Sequence, residues 1–277
     1  KQAFYKRLNN SSKQQNEEQI LKKMVLKERG IAGSKTGGIK LYAELKPKMD
    51  QLGIKKGRDK FFDFLRDNQL LVPRTKAYHI TTQSNHRFYK YGNLVHNKVP
   101  TRPEQLWVSD ITYIRTQTGH SYLAIVTDAF SKQIMGYNIA NHMKASLCTQ
   151  ALKMAIKNRK YPDKPLIHHS DRGFQYCSSE YVNYANENNL TISMTEKYDP
   201  YENAVAERIN RTLKYEYGLK ETVKNLTLAK KIVKQSVYIY NTRRKHLKLN
   251  LMTPEQIHSK PTGEYKIYKK DKKKKKK

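Results

Sequence analysis

The chain has 277 residues, enough for one sizeable domain and a smaller one, and its 55 Lys and Arg against 24 Asp and Glu leave a net charge of +31. That balance points to a polyanionic partner, double-stranded DNA or RNA before an anionic membrane surface. No apolar run approaches the ~18 residues of a spanning helix and no signal-peptide pattern opens the chain, while Cys148 and Cys177 alone make neither a disulfide framework nor a zinc site, so a reduced, cytosolic protein without membrane contact is expected.

Residues 1–13 are polar and basic, an arm or frayed helix, and Ile20, Leu21, Met24 and Val25 then recur at helical spacing over about 16–28, with Gly30 as the stop. Amphipathic segments over 39–49 and about 57–70 follow, the third turning Phe61, Phe62, Phe64 and Leu65 inward and offering Arg58, Lys60 and Arg66 outside. Three short helices with a basic last one predict a helix-turn-helix DNA-binding domain over 1–73, with a protein-docking module as the alternative.

Over 74–103 the periodicity lapses, and Arg74, Lys76, His86, Arg87 and Lys90 interleave with Tyr78, Tyr89 and Tyr91. This basic linker is either solvated or laid along a phosphate backbone, and its tyrosines are candidates for base stacking.

The larger domain opens on the stretch Gln105–Arg115, a strand in which Trp107, Ile111 and Tyr113 alternate with Val108 and Ile114, and which carries a carboxylate, Asp110, inside an apolar run. An unpaired charge there costs several kcal/mol, so a cation or a metal has to meet it. Strands over 121–128, 133–139, 166–170 and 190–194 and helices over 145–158, 179–188 and about 200–217 predict an α/β layer with a mixed sheet, followed by a helix over about 227–245 and a lysine tail.

Asp171 ends the 166–170 strand, with Gly173 permitting a sharp turn. Glu207 sits in a helix that Asp199, Pro200 and Glu202 would start, on a polar stripe with Asn203, Asn210, Arg211 and Lys214 opposite Val205, Ile209 and Leu213. Converging carboxylates of this kind can hold two hard divalent cations and so support in-line displacement at phosphorus, whereas each acid alone would be a turn residue or a surface partner of Arg211. His168, His169 and Cys177 fit no common zinc spacing and read as packed residues. Asp128, in Asp-Ala-Phe-Ser, reads as a shaper of the strand turn.

Thirty-five residues separate Asp171 from Glu207, and the surrounding words are Trp107-Val-Ser-Asp110-Ile-Thr-Tyr113, Asp128-Ala-Phe-Ser131, His169-Ser-Asp171-Arg-Gly-Phe-Gln-Tyr176, Glu202-Asn-Ala204 with Glu207, and Tyr240-Asn-Thr-Arg243-Arg-Lys-His246 before Thr253-Pro254. The set resembles the D,D-35-E signature of retroviral integrases and, more closely, the transposases of insertion-sequence family three. The resemblance spans roughly 33–254. It implies a ribonuclease-H-like mixed sheet with flanking helices over 104–220, preceded by the helix-turn-helix and followed by a C-terminal helix and basic tail over 221–277. Asp110, Asp171 and Glu207 would be the catalytic acids and the ligands of two Mg²⁺ ions, with Mn²⁺ as substitute. Lys214 would contact the transposon end, Tyr240, Asn241, Arg243 and His246 would support the core or DNA, and Arg172, Arg211 and Arg244 would join Arg243 and His246 as DNA contacts.

The implied partners are transposon terminal inverted repeats and target DNA. The enzyme would act as a homodimer or higher oligomer in the bacterial cytoplasm at the nucleoid. Glu202 stands where the family has Asp, and the chain begins at Lys1 without the upstream helix-turn-helix and coiled-coil segment that the family joins by frameshifting, so an upstream-frame partner or fusion segment is expected. A ribonuclease-H-like nuclease without strand transfer and a non-catalytic DNA-binding protein are the alternatives.

Overall fold

The computed structural model describes residues 2–73, 87–95, 98–196 and 204–260, with side chains from residue 15 onward. It divides into two compact units, 1–77 and 78–277.

The first unit packs α1 (Gln2–Ala32), α2 (Gly38–Gln51) and α3 (Arg58–Asp67) around Leu21 and Val25, Leu41, Leu45 and Met49, and Phe61, Phe64 and Leu65. Helix α1 is longer at both ends than its short apolar stripe predicts. It passes through Gly30 and stops at Gly33, whose φ of 113° lies where an L side chain is strained. Helix α3 corrects the expectation of a basic third helix. Asp59, Asp63 and Asp67 match Arg58, Lys60 and Arg66 in charge, with Arg58 paired to Asp59 at 3.3 Å and Arg66 to Asp63 at 2.7 Å, all exposed.

The second unit holds β1 (Leu106–Thr116), β2 (Gly119–Asp128), β3 (Ile134–Ala140), α4 (Ala145–Lys157), β4 (Leu166–Ser170), α5 (Phe174–Cys177), α6 (Ser179–Glu187), β5 (Leu190–Met194), α7 (Ala204–Glu216), α8 (Leu226–Thr242) and α9 (Pro254–His258). One sheet runs in the order β3-β2-β1-β4-β5; β1 to β3 are antiparallel neighbours, and β4 and β5 run parallel to β1. Period-two alternation sends Trp107, Ala124 and Val126 to the face covered by α4 and α6, and Ile114, Leu123 and Ile125 to the face covered by α7 and α8. Helix α4 lies directly on the backbone of β3, and a Cβ at Gly136 would meet Ala151 O at 2.2 Å, so glycine is required there by space.

The expected linker is in part a strap on this core. Among its described residues, Leu94 N donates to Ser193 Oγ at 2.9 Å, Asn93 N donates to Glu196 at 3.0 Å, Met194 N donates to Gly92 O at 3.2 Å, and Tyr91 packs against the α4/α6-side core. The backbone amides find partners along β5 rather than in water, which is why the segment needs no periodicity of its own. Residues 74–86, the cap formed by Asp199, Pro200 and Glu202, and the lysine tail lie outside the described residues.

Ahead of β1, Glu104 sits at φ 53°, fully buried. It accepts from Arg159 Nε at 3.2 Å, Lys160 N at 2.6 Å and Tyr161 N at 3.2 Å, and it meets His258 Nε2 at 3.2 Å. His258 Nδ1 lies 2.9 Å from Ser131 Oγ, which donates to Asp128 at 2.8 Å, so α9 is tied to the start of the sheet. Thr253 caps α9 in a capping box with Gln256.

Candidate active site

Parallel pairing of β1 with β4 sets Trp107 beside His168 and Val108 beside His169. Asp110 follows Val108 by two residues and Asp171 follows His169 by two, so the two acids stand at the same level of the sheet, Asp110 within β1 and Asp171 just past the end of β4. They line one cleft of about 210 Å³ together with Tyr113, Tyr122, Met143 and Phe174.

Asp110 Oδ1 accepts from Ile111 N at 2.8 Å and Oδ2 from Asn210 Nδ2 at 2.8 Å. These donors do not offset its burial and the repulsion of Asp171, to which Glu207 adds, and its pKa is pushed up to about 7. A carboxylate this poorly neutralised is one that a bound cation would relieve. Asp171 accepts from Gly173 N at 2.9 Å, and a Cβ at Gly173 would sit 2.9 Å from Asp171 Oδ1. Gly173 has an ordinary φ of −63°, so the glycine clears space for the carboxylate and does not serve a sharp turn as expected.

Helix α7 packs on β1 through Ala206, Ile209, Asn210 and Leu213. Asn210 is therefore not part of the solvent-facing stripe. It is 6 % exposed and holds Asp110, a role its polarity and its i+3 spacing from Glu207 disguised. Glu207, one turn earlier, is exposed, and its carboxyl is raised by partial burial. Among the described residues no three His, Cys, Asp or Glu side chains stand close enough to hold a metal ion together. Asp110 and Asp171 share the cleft, and Glu207 reaches Asp110 through its charge. Lys214 Nζ lies 4.1 Å from the Tyr113 ring centroid, its pKa lowered by burial against the pull of Asp110, which fixes a cation beside the cleft.

The remaining predicted residues divide. Arg172 is half-buried beside Asp171, and the Arg211 guanidinium lies 5.9 Å from the Tyr215 ring centroid. Arg243 is exposed at the end of α8. Arg244 is corrected: it is 9 % exposed and forks onto Glu216 at 2.7 and 2.6 Å, with His246 at 3.0 Å, and so locks α7 to the segment after α8 and is not offered to a ligand. Asn241 does similar work, bonding both N and O of Ile134 at 2.9 Å. His168 and His169 are fully buried; His168 meets Ser109 at 2.7 Å and Tyr181 at 2.9 Å, and burial pushes its pKa down to about 3. His169 meets Ser193 at 2.9 Å, and Cys148 and Cys177 are buried free thiols. Asp128 shapes the β2–β3 turn, accepting from Phe130 N, Ser131 N and Ser131 Oγ.

Residues 100–200 match a family described as integrase core domain, and residues 188–254 match a second family of the same description. The chain is 32% identical over 252 residues to the uncharacterized 31 kDa protein of insertion element IS600 from Shigella sonnei, an alignment covering 90% of each chain. It is 37% identical over 163 residues to the transposase InsF of insertion sequence IS3A from Escherichia coli K12, covering 57% of this chain and 55% of that one, so it spans about half the length of that relative. The fold is similar to a chain of the simian T-cell lymphotropic virus intasome solved with PP2A regulatory subunit B56 gamma, with a TM-score of 0.51, 17% identity, and 84% of this chain and 76% of that one covered. With its mixed sheet, its ribonuclease-H-like core and its two acids on neighbouring parallel strands, one within β1 and one just past β4, the chain belongs to the IS3 family of DDE transposases.

Proposed function

We propose that this chain cleaves the ends of a DNA element and joins the freed 3′-hydroxyl to another DNA, as a metal-dependent polynucleotidyl transferase with Asp110, Asp171 and Glu207 as its working acids. The observation that carries the reading is Asp110, buried beside Asp171 in one cleft and pushed up to about 7 by that burial and by the second acid, in a chain of net charge +31. The donor set is all oxygen, which suits hard divalent cations such as Mg²⁺, with Mn²⁺ as substitute. When bound by Asp110, Asp171 and Glu207, two such cations would lower the charge barrier at a phosphodiester and favour an oxygen nucleophile in line with the leaving oxygen.

The chain's own residues supply the rest. Asn210 and Ile111 N each hold one oxygen of Asp110 and so fix the direction of its remaining lone pairs. Gly173 N does the same for Asp171. Lys214, steadied over Tyr113, presents a cation beside the acids where a backbone phosphate of the element end would lie. In the first step a water oxygen forms the new O–P bond and the 3′-oxygen leaves as a hydroxyl; in the second that hydroxyl attacks another phosphodiester and displaces its 3′-oxygen. No protein atom bonds to phosphorus.

The three N-terminal helices would read or dock the DNA end, though the neutral surface of α3 assigns phosphate attraction to other parts of the chain. Assembly as a homodimer or higher oligomer on terminal repeats and target DNA, with an upstream-frame segment as partner, in the bacterial cytoplasm at the nucleoid, belongs to the same reading. The test is incubation of the protein with labelled element-end duplex and Mg²⁺. A joined product supports the transposase, cleavage without joining leaves a nuclease, and binding without either leaves a DNA-binding protein.

A further inference from the structure

Two exposed phenylalanines stand at the mouth of the acidic cleft, and the machinery above does not use them. Phe174, the first residue of α5 and three past Asp171, lines the cleft and is 38% exposed. Phe88, from the strap before β1, stacks on it with ring centroids 6.2 Å apart and planes at 30°, and is 41% exposed. Of the neighbouring aromatics, Tyr91, three residues further along the strap, packs partly buried against the core, and Tyr176, two past Phe174, is 2% exposed. Phe88 and Phe174 instead expose aromatic surface side by side, which marks an interaction site.

The surroundings specify the occupant. Lys90 follows Phe88 by two residues on the strap and Arg172 precedes Phe174 by two, so each ring carries a basic residue close by on its own segment. Aromatic faces flanked by cations, next to acids that await a phosphodiester, match a nucleotide whose base has left its stack. The cleft of about 210 Å³ has room for one planar ring, given that a cavity of roughly 150 Å³ accepts benzene.

Resting on the proposed function above, we infer that Phe88 and Phe174 form a stacking platform for one unpaired nucleobase next to the scissile phosphodiester, with Lys90 and Arg172 taking the flanking phosphates. The platform would select DNA ends that fray, because a base already unpaired arrives without the cost of leaving its partner.

The experiment uses the full chain without divalent cation, so that binding is read apart from chemistry. Affinity is measured for a blunt duplex and for the same duplex with two unpaired terminal nucleotides, and an overhang carrying 5-iododeoxyuridine is photo-crosslinked and mapped by mass spectrometry. Stacking on an aromatic ring contributes roughly 5- to 150-fold per base, so the parent is expected to prefer the overhang about tenfold and to crosslink at Phe88 or Phe174. Phe174→Leu keeps the apolar volume without the π face; it should keep the melting temperature and affinity for blunt duplex while losing the preference, and Phe174→Tyr should retain it. Equal affinity of the parent for blunt and unpaired ends overturns the platform, as do crosslinks confined elsewhere or a dimer that Phe88→Ala dissolves with no change in DNA preference. Strand joining is assayed separately. Loss of joining with the overhang preference intact would refute the catalytic reading and spare the platform; joining without the preference would do the reverse.

Discussion

Glu104 lies just ahead of β1 and Asp110 within it, and the chain treats their buried charges in opposite ways. Burial pushes Glu104 up, but His258, Lys160 N, Arg159 and Tyr161 N outweigh it and hold the carboxyl below the ordinary range. Burial also pushes Asp110 up; there a second acid adds to the effect, and one amide side chain with one backbone N–H fails to offset it. The first arrangement is a completed network that fastens α9 to the start of β1. The second leaves charge uncompensated where the cleft opens. Stability is built where charge is satisfied, and chemistry is placed where it is not.

The largest expected effect separates the two regions. Asp110→Asn or Asp171→Asn should abolish cleavage and joining by several orders of magnitude with no loss of thermal stability near neutral pH, since each removes a repelled charge. A variant that unfolds would assign Asp110 to the scaffold instead. Glu104→Gln should do the converse, because breaking a buried charged pair costs about 3–5 kcal/mol; chemical denaturation should show that loss while the activity of the folded fraction stays near that of the parent.

The pH dependence sharpens the same contrast. Glu104, lowered in the fold, contributes stability that is present above the ordinary carboxylate pKa of 4.5 and lost as pH falls through its depressed value. Asp110, raised from 3.8 to about 7, contributes stability that is present below about 4 and lost as pH rises through about 7. Melting temperatures across pH 3–8 should therefore lose the acid limb in Glu104→Gln and the neutral limb in Asp110→Asn, and unchanged limbs would remove the contrast. The smallest effect is at Asn210. Asn210→Ala leaves Asp110 with one donor fewer, so the pH at which activity rises should move upward, with a loss of roughly 1–2 kcal/mol in transition-state stabilisation. An unmoved pH profile would reduce Asn210 to a packing residue.

Much of this was legible in the sequence because it is local. Period-two alternation through Trp107, Val108, Ile111 and Ile114 placed β1 and the faces of the sheet, and the spacing of Asp171 after a short apolar strand placed the second acid at its end. Parallel neighbours then brought Asp110 and Asp171 together as expected. What escaped was either non-local or sterically coded. His258 reaches Glu104 across 154 positions, and no window of sequence contains both. Arg244 has the sequence signature of a surface cation, and its fork onto Glu216 joins positions 28 apart. Asn210 lay on a stripe that counting assigned to solvent, because a buried polar residue with a specific partner has the same signature as an exposed one. Gly136 and Gly173 are glycines for lack of room, which backbone propensity does not reveal.

Glu207 is the member of the acidic set that the described geometry leaves outside the Asp110 and Asp171 pair, so it bears the most weight in deciding the account. Glu207→Gln is nearly isosteric and removes only the charge. Assayed on labelled element-end duplex in Mg²⁺, it should bind DNA and melt as the parent does while strand joining falls by several orders of magnitude, and combining it with Asp110→Asn should add little, since groups that act as one unit cannot be lost twice. Joining by Glu207→Gln at the parent's rate would contradict the assignment of the three acids to one active site.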